Sequence, residues 1–281
     1  MPKNSVETHG PVHLGKATLY ADKYDAALLD PIPRALARAS LAAGSAQALP
    51  FRGMDVWTAY EISWLDAAGK PIVAMAEFEF PFDSAAIVES KSFKLYLNSF
   101  NQTVFAHWAE VQAVLVRDLS GLTGADVVVR LMTLEEGLSL TVAAFEGENI
   151  DALAVSCTAY EPDANLLQLA PRRVEVSEHL CSDLLKSNCP VTGQPDWASL
   201  SIRYTGAAID RASLLRYIVS YRHHRDFHEH CVESIFIDIL QRCQPRSLTV
   251  YARYTRRGGL DINPFRTNCA ERPPRLRLVR Q

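Results

Sequence analysis

The sequence predicts an α+β fold built from two modules, each in the order ββααββ, an antiparallel sheet carrying a pair of helices. Three observations carry this. Period-two apolar runs come in pairs joined by short turns, stretches of helical period follow them in pairs, and the same order recurs in the second half of the chain. The repeat lies in element order, not in residue identity. It divides the chain into an N-terminal arm over residues 1–50, a first module over 51–165 and a second over 166–281.

The arm is rich in Pro, Gly and Ala, with a short helix expected at Pro33–Arg38. Val56–Leu65 is dense in aromatic and β-branched residues and reads as a strand. Asp66–Lys70 turns the chain, and Pro71–Phe80 returns it. Phe93, Tyr96, Leu97 and Phe100 fall at i, i+3, i+4 and i+7, marking a helix that begins near Glu89. A second helix carries Val104, Trp108, Val111, Leu115 and Leu119 on one stripe, and Val127–Leu131 and Leu138–Phe145 close the module as strands. In the second half, Arg173–Val176 and Trp197–Tyr204 supply the first two strands. Asp210 N-caps a helix through Leu214, Tyr217, Ile218 and Tyr221. Asp226 opens the next, whose stripe of Val232, Ile235, Phe236, Ile239, Leu240 and Cys243 stops at Pro245. Leu248–Tyr254 alternates as a strand, Arg257–Gly258–Gly259 turns, and a short last strand follows. The edges of such sheets favour association into a barrel or oligomer.

Composition narrows the function. The 281 residues are 48% hydrophobic, enough for a full core. A net charge of −3 and a pI near 6.2 do not ask for a phosphate backbone or an anionic membrane. The N-terminus lacks an apolar signal region, and no run of about 18 apolar residues occurs. The six cysteines show neither Cys-x-x-Cys nor zinc spacing, so a reduced, cytoplasmic protein without a metal is expected. No Gly-x-Gly-x-x-Gly follows a strand and no P-loop appears, which excludes a Rossmann or Walker site.

Four constellations could carry chemistry, and each has a plainer reading. Cys189 lies in the polar, proline-punctuated stretch Lys186–Trp197, seven residues before Asp196. A nucleophilic thiolate needs a lowered pKa and a proton-handling partner, and Asp196 could be that partner. Equally, Cys189 could fill a loop while Asp196 caps a turn. Asp226–Phe227–His228–Glu229 has the spacing of a capping box, yet it also sets an imidazole and a carboxylate where they could read the edge of a purine-like heterocycle. Glu89–Ser90–Lys91 opens a helix and could be an ordinary first turn or a phosphate contact. Tyr254–Asp261, with Arg256–Arg257–Gly258–Gly259, could be a basic hairpin turn or a phosphate grip.

Taken together, Glu89–Tyr96, Ser187–Pro190, Gln194–Trp197, Phe227–Glu229 and Tyr254–Gly259 resemble the NADPH-dependent 7-cyano-7-deazaguanine reductases, the nitrile reductases of queuosine biosynthesis for tRNA modification, in their long two-module form. The motifs run in the family's order from about residue 51 onward, and only Pro190–Gly193 looks free to vary. The resemblance implies tandem tunnelling (T-fold) modules packed sheet edge to sheet edge, a cytoplasmic homodimer, and NADPH bound without a Rossmann motif. It implies Cys189, Asp196 and His228 as catalytic residues, with the cysteine accessible in its loop and attacking the nitrile to give a thioimide. Val88, Glu89, Ser90, His228 and Glu229 would hold the deazapurine, and Ser90, Lys91, Arg257 and Gly258 the cofactor. Cys231, two residues beyond Glu229, could form a reversible disulfide with Cys189 under oxidation. Three other readings stay open on the residues alone. A pterin-forming cyclohydrolase would need a metal-binding Cys/His set, a non-enzymatic purine-binding module would not need Cys189, and a cysteine hydrolase would need a histidine brought to the Cys189 loop.

Overall fold

The computed structural model describes residues 20–41 and 49–281, so much of residues 1–50 lies outside it. The first half contains β1 (Pro31–Pro33), α1 (Arg34–Leu41), β2 (Arg52–Leu65), β3 (Pro71–Pro81), β4 (Ala86–Val88), α2 (Ser90–Asn98), α3 (Trp108–Thr123) and β5 (Val128–Met132). A short α4 (Leu134–Gly137) and two-residue strands β6 (Val142–Ala143) and β7 (Glu148–Asn149) lead onward. The second half contains β8 (Glu175–Asn188), β9 (Pro195–Ala207), α5 (Arg211–Ser220), α6 (His228–Cys243), β10 (Ser247–Tyr254) and β11 (Leu260–Thr267), followed by β12 (Arg277–Leu278).

Both halves enter one eight-stranded sheet in the order β5-β3-β2-β11-β10-β9-β8-β7, antiparallel except for β7 against β8. They meet where β11 pairs with β2, from Leu260 opposite Ala59 to Thr267 opposite Arg52. Helices α2 and α3 cover the first half with Phe93, Tyr96, Val111, Leu115 and Leu119 against Trp57, Ile62, Trp64 and Phe78. Helices α5 and α6 do the same for the second with Tyr217, Val232, Ile235 and Phe236 against Leu200, Ile202 and Val250. The mixed α/β character read from the periodicities is therefore present. Strands β2 and β8 each have 14 residues, and each carries a register shift against its hairpin partner, after Ala59 and after Ser182.

Several elements differ from expectation. Leu138–Phe145 is not a strand of the main sheet. A capping box between Thr133 and Glu136 turns the chain into α4 directly after β5, and only Val142–Ala143 pairs, parallel to β12 in a separate ribbon. Val104 is not on the second helix. Thr103 and Phe105 bond the end of β2 at Leu65, Val104 is exposed, and α3 starts only at Trp108. β8 runs on through Lys186–Asn188, which the sequence placed in a loop.

The seam between the halves carries buried charge. Alternation along β11 puts Arg266 on the helix side, fully buried, 2.8 Å from Asp55 of β2 and 2.8 Å from Glu233 of α6. Arg34 and Arg38 of α1 complete the cluster, Arg34 on Asp55 at 2.5 Å and Arg38 on Glu233 at 2.6 Å. Burial alone would raise the Glu233 carboxyl, but Arg266, Arg38 and Arg34 hold it down at about 2, from an ordinary 4.5. The stability Glu233 contributes is complete above that ordinary value and disappears as pH falls through about 2. Acid unfolding monitored by circular dichroism should therefore shift to higher pH in Glu233→Gln, which no longer carries this charge. An unchanged acid midpoint would contradict this.

Candidate active site

The loop after β8 is built around Cys189. The last rungs of the hairpin pair Ser187 with Asp196 and Asn188 with Pro195, so the loop spans Cys189–Gln194. It closes on itself: the Cys189 N–H donates to the Gln194 carbonyl at 2.9 Å, and the Gly193 N–H to the Cys189 carbonyl at 3.0 Å. Gly193 has φ +69°, which a glycine adopts without strain. Cys189 is only 3% exposed, so the loop does not leave the sulfur open to bulk solvent, contrary to the sequence expectation. The tight closure folds the residue inward. Its surroundings are polar nonetheless. Burial raises the Cys189 thiol, but hydrogen bonds from the Thr192 hydroxyl, the Thr192 and Val191 N–H groups and the Arg257 guanidinium outweigh it, and the net shift is downward. Thr192→Val should raise the midpoint of Cys189 alkylation by about half a unit to one unit. An unchanged rate–pH profile for the single alkylation at Cys189 would contradict that prediction.

Asp196, near the start of β9, is 5% exposed and lies between two partners. Arg257 Nη1 stands 3.4 Å from Oδ1, and His228 Nε2 stands 3.3 Å from Oδ2. Arg257 also reaches Ser90 Oγ at 3.5 Å, so one guanidinium touches the sulfur, the carboxylate and the first half of the chain. The turn that carries it has Gly258 at φ +61° and Gly259 at φ +79°. A Cβ on Gly259 would come within 2.5 Å of the Glu61 carboxylate. Glu61 is itself paired with Lys94, one turn beyond Ser90 and Lys91 on α2.

The start of α6 is not the capping box the sequence suggests. Phe227 is the N-cap, and the Asp226 carboxylate accepts the Phe227 N–H at 2.7 Å and pairs with His230. With the box unformed, Glu229 is turned inward and is 4% exposed. Burial, then the nearby Asp55 charge, pushes its carboxyl up to about 8, against the pull of Arg34 and Arg266. His228 is stacked face to face on Tyr254, with ring centres 3.8 Å apart and planes within 9°. Burial lowers its pKa, against the pull of Asp196, so the imidazole is neutral at physiological pH.

In the first half, Val88 ends β4 and Ser90 begins α2. Glu89 is that helix's N-cap, and its carboxylate accepts from the Lys91 N–H at 2.9 Å and the Ser92 N–H at 2.7 Å. Of the two readings of this segment, the local one is present: the Glu89 carboxylate of the chain itself takes the first N–H groups of the helix. Basic side chains remain nearby for an anionic cofactor: Lys91 and Lys94 on α2, and Arg257 facing them. These, with Ser90, suit phosphate or ribose oxygens.

A narrow cleft joins the halves and is lined by Val88 and Ser90 from one side and Asp196, His228, Glu229 and Arg257 from the other. Among the described residues, Asp196 Oδ2, both ring nitrogens of His228 and Glu229 Oε1 are buried without a well-formed hydrogen bond. Orphaned polar atoms facing a cleft are where a polar planar ligand finds its partners. Cys189 adjoins this site through Pro190 on the cleft wall and through Arg257. Sequence reasoning missed Thr192 as a partner of the sulfur, Tyr254 under the imidazole and Trp57 in the cleft wall. A polar residue three positions after a candidate nucleophile was the available signal for Thr192.

The site is a two-half cleft that brings a buried carboxylate and a neutral imidazole together, with a thiol of lowered pKa adjoining it through Pro190 and Arg257, an arrangement suited to acid–base and thiol chemistry. Comparison with known families identifies the enzyme class as an oxidoreductase. Residues 20–131 match the family described as nitrile reductase, 7-cyano-7-deazaguanine-reductase N-term, and residues 195–273 match that described as QueF-like protein. The NADPH-dependent 7-cyano-7-deazaguanine reductase of Bordetella pertussis (strain Tohama I) is 58% identical over 269 residues, covering 95% of this chain and 97% of the relative. The protein of the same name from Burkholderia multivorans is 56% identical over 274 residues, covering 97% and 98%. The apo crystal structure of the archaeosine synthase QueF-Like aligns with 36% of this chain and 99% of its own, at 17% identity and a TM-score of 0.29, a likeness too low to carry an argument. The chain belongs to the family of NADPH-dependent 7-cyano-7-deazaguanine reductases.

Proposed function

We propose that this chain, an NADPH-dependent oxidoreductase by its family, reduces the nitrile of 7-cyano-7-deazaguanine to the primary amine through a covalent adduct on Cys189. The observation that carries the reading is the sulfur with hydrogen bonds from Thr192, Val191 and Arg257, in a loop whose hairpin also holds Asp196. Those bonds favour the thiolate, and the thiolate is the attacking species. Attack on the nitrile carbon forms the C–S bond, breaks one C–N π bond and places negative charge on nitrogen. Asp196 is the proton donor to that nitrogen, giving a neutral thioimide. His228, 3.3 Å away, relays the proton that returns Asp196 to its starting state. NADPH, when bound, supplies the hydrides: one with loss of the thiolate leaves an imine, and a second with a proton leaves the amine. Arg257 holds the departing sulfur as an anion. Glu229 and His228 hydrogen-bond the edge of the heterocycle, Val88 packs on its face, and the Glu89 carboxylate orients Ser90. Lys91, Ser90, Arg257 and Gly258 grip the cofactor.

The two 14-residue strands with matching register shifts support a duplicated T-fold module, and β5, at the end of the sheet order, offers an edge for pairing in a homodimer. Nicotinamide absorbance followed with and without the nitrile tests the activity. Two equivalents of NADPH should be consumed per nitrile. Consumption that does not depend on the nitrile, or a ratio of one, contradicts the reading. Intact mass after mild peroxide, with and without Cys231→Ser, tests the Cys189–Cys231 pair. Both thiols are free in the structure, and burial pushes the Cys231 thiol up to about 12.

A further inference from the structure

We propose that Arg34 of α1 and Asp55 of β2 are a positioning pair for Glu229, so that the N-terminal helix forms the back wall of the substrate cleft. This rests on the reading of Glu229 as the carboxylate that grips the heterocycle. Glu229 stands on a partition: it lines the cleft on one side and, on the other, a second small cavity walled by Ile32, Arg34, Arg38 and Glu233. Glu229 and Glu233 lie one turn apart on α6, so the arginines that hold Glu233 also face Glu229. Arg34 is 5% exposed and is fixed from three directions, by Asp55 at 2.5 Å, by Ser84 Oγ at 2.9 Å and by the Pro81 carbonyl at 3.3 Å. Glu233 is 3.9 Å away.

The charge count gives the pair its role. Arg34, Arg38 and Arg266 face only Asp55 and Glu233 within the cluster, an excess of one positive charge. An ionised Glu229 makes the count even. Asp55 opposes that ionisation and Arg34 favours it. The other charged or titratable groups around Glu229 are Arg38 from α1, Arg266 from β11, Asp226 just before α6, His228, His230 and Glu233 from α6, and Asp196 and Arg257 across the cleft. A bound heterocycle that donates N–H groups needs the ionised form, so the two residues should tune its binding in opposite directions.

The test is calorimetric binding of 7-cyano-7-deazaguanine across roughly pH 6 to 10, about two units either side of the Glu229 midpoint, in the Cys189→Ala background without cofactor. In that background affinity should rise with pH through about 8. Arg34→Gln should move the midpoint up by about one unit and weaken binding near neutrality about ten-fold, and Asp55→Asn should move it down. Arg34→Lys keeps the charge and should keep the midpoint, which holds the question open to measurement if Arg34→Gln does not fold. Midpoints that shift in the same direction, or not at all, in folded Arg34→Gln and Asp55→Asn overturn the proposal. Glu229→Gln reports separately: tight, pH-dependent binding in that variant would refute the role of Glu229 itself, whatever Arg34 does.

Discussion

Cys189→Ala should lose nitrile reduction by roughly four orders of magnitude or more, because it removes the proposed nucleophile and with it the proposed covalent route. The fold should survive. Cys189 is a small buried residue at the end of a hairpin, and its N–H and carbonyl keep their bonds to Gln194 and Gly193. NADPH binding should be retained, since the basic side chains on α2 and the turn after β10 are untouched. The comparison with Asp196→Asn is informative. That variant keeps the thiol and the Thr192 hydrogen bond but cannot protonate the nitrile nitrogen, and a loss of about 10² to 10⁴ is expected. Steady-state rates of both variants, with unchanged melting curves, check this. Residual activity in Cys189→Ala within ten-fold of the parent would mean that the sulfur is a bystander (~10-fold being far below any covalent contribution).

Arg266→Leu should cost about 3–5 kcal/mol of stability, the largest structural effect expected of a single change. Its guanidinium is fully buried, donates to Glu233 and to the Met54 and Phe265 carbonyls, and pairs with Asp55. Removing it leaves two buried carboxylates short of a partner. It also loosens the β2–β11 seam, the junction of the two halves. Urea unfolding followed by tryptophan fluorescence measures the loss, Trp57 lying in the same strand as Asp55. Replacing Asp55, Arg266 and Glu233 together by apolar residues should cost less than the sum of the single changes, because no charge is then stranded. A single-variant loss below about 1 kcal/mol would show that water reaches the cluster.

Much of this was legible in the chain. Period and turn chemistry locate β2, β3, α2, β9, α5 and β10 because apolar spacing and local caps, such as Asp210 on the Ser213 N–H, act within a few residues. The misplaced elements are those fixed at a distance. Leu138–Phe145 has strand composition, but the Thr133 capping box turns the chain out of the sheet before it arrives. Val104 fits a helical stripe, but Leu65 holds the flanking backbone alongside β2. At the site, residue types and order pointed to Cys189, Asp196, His228 and Glu229. The arrangement around them depends on what the two halves bring together. No local pattern reveals that Arg257 spans Cys189, Asp196 and Ser90, or that α1 lies behind Glu229. The capping-box spacing of Asp226 and Glu229 suggested a local bond, yet the pull of the buried cluster and the Asp226–His230 pair leave Glu229 facing the cleft.

The most direct measurement is the intact mass of the protein after incubation with 7-cyano-7-deazaguanine in the absence of NADPH. Wild type should gain the mass of one nitrile, the gain should vanish in Cys189→Ala, and NADPH should discharge it. A wild-type protein that binds the nitrile yet keeps its unmodified mass would contradict a thioimide on Cys189.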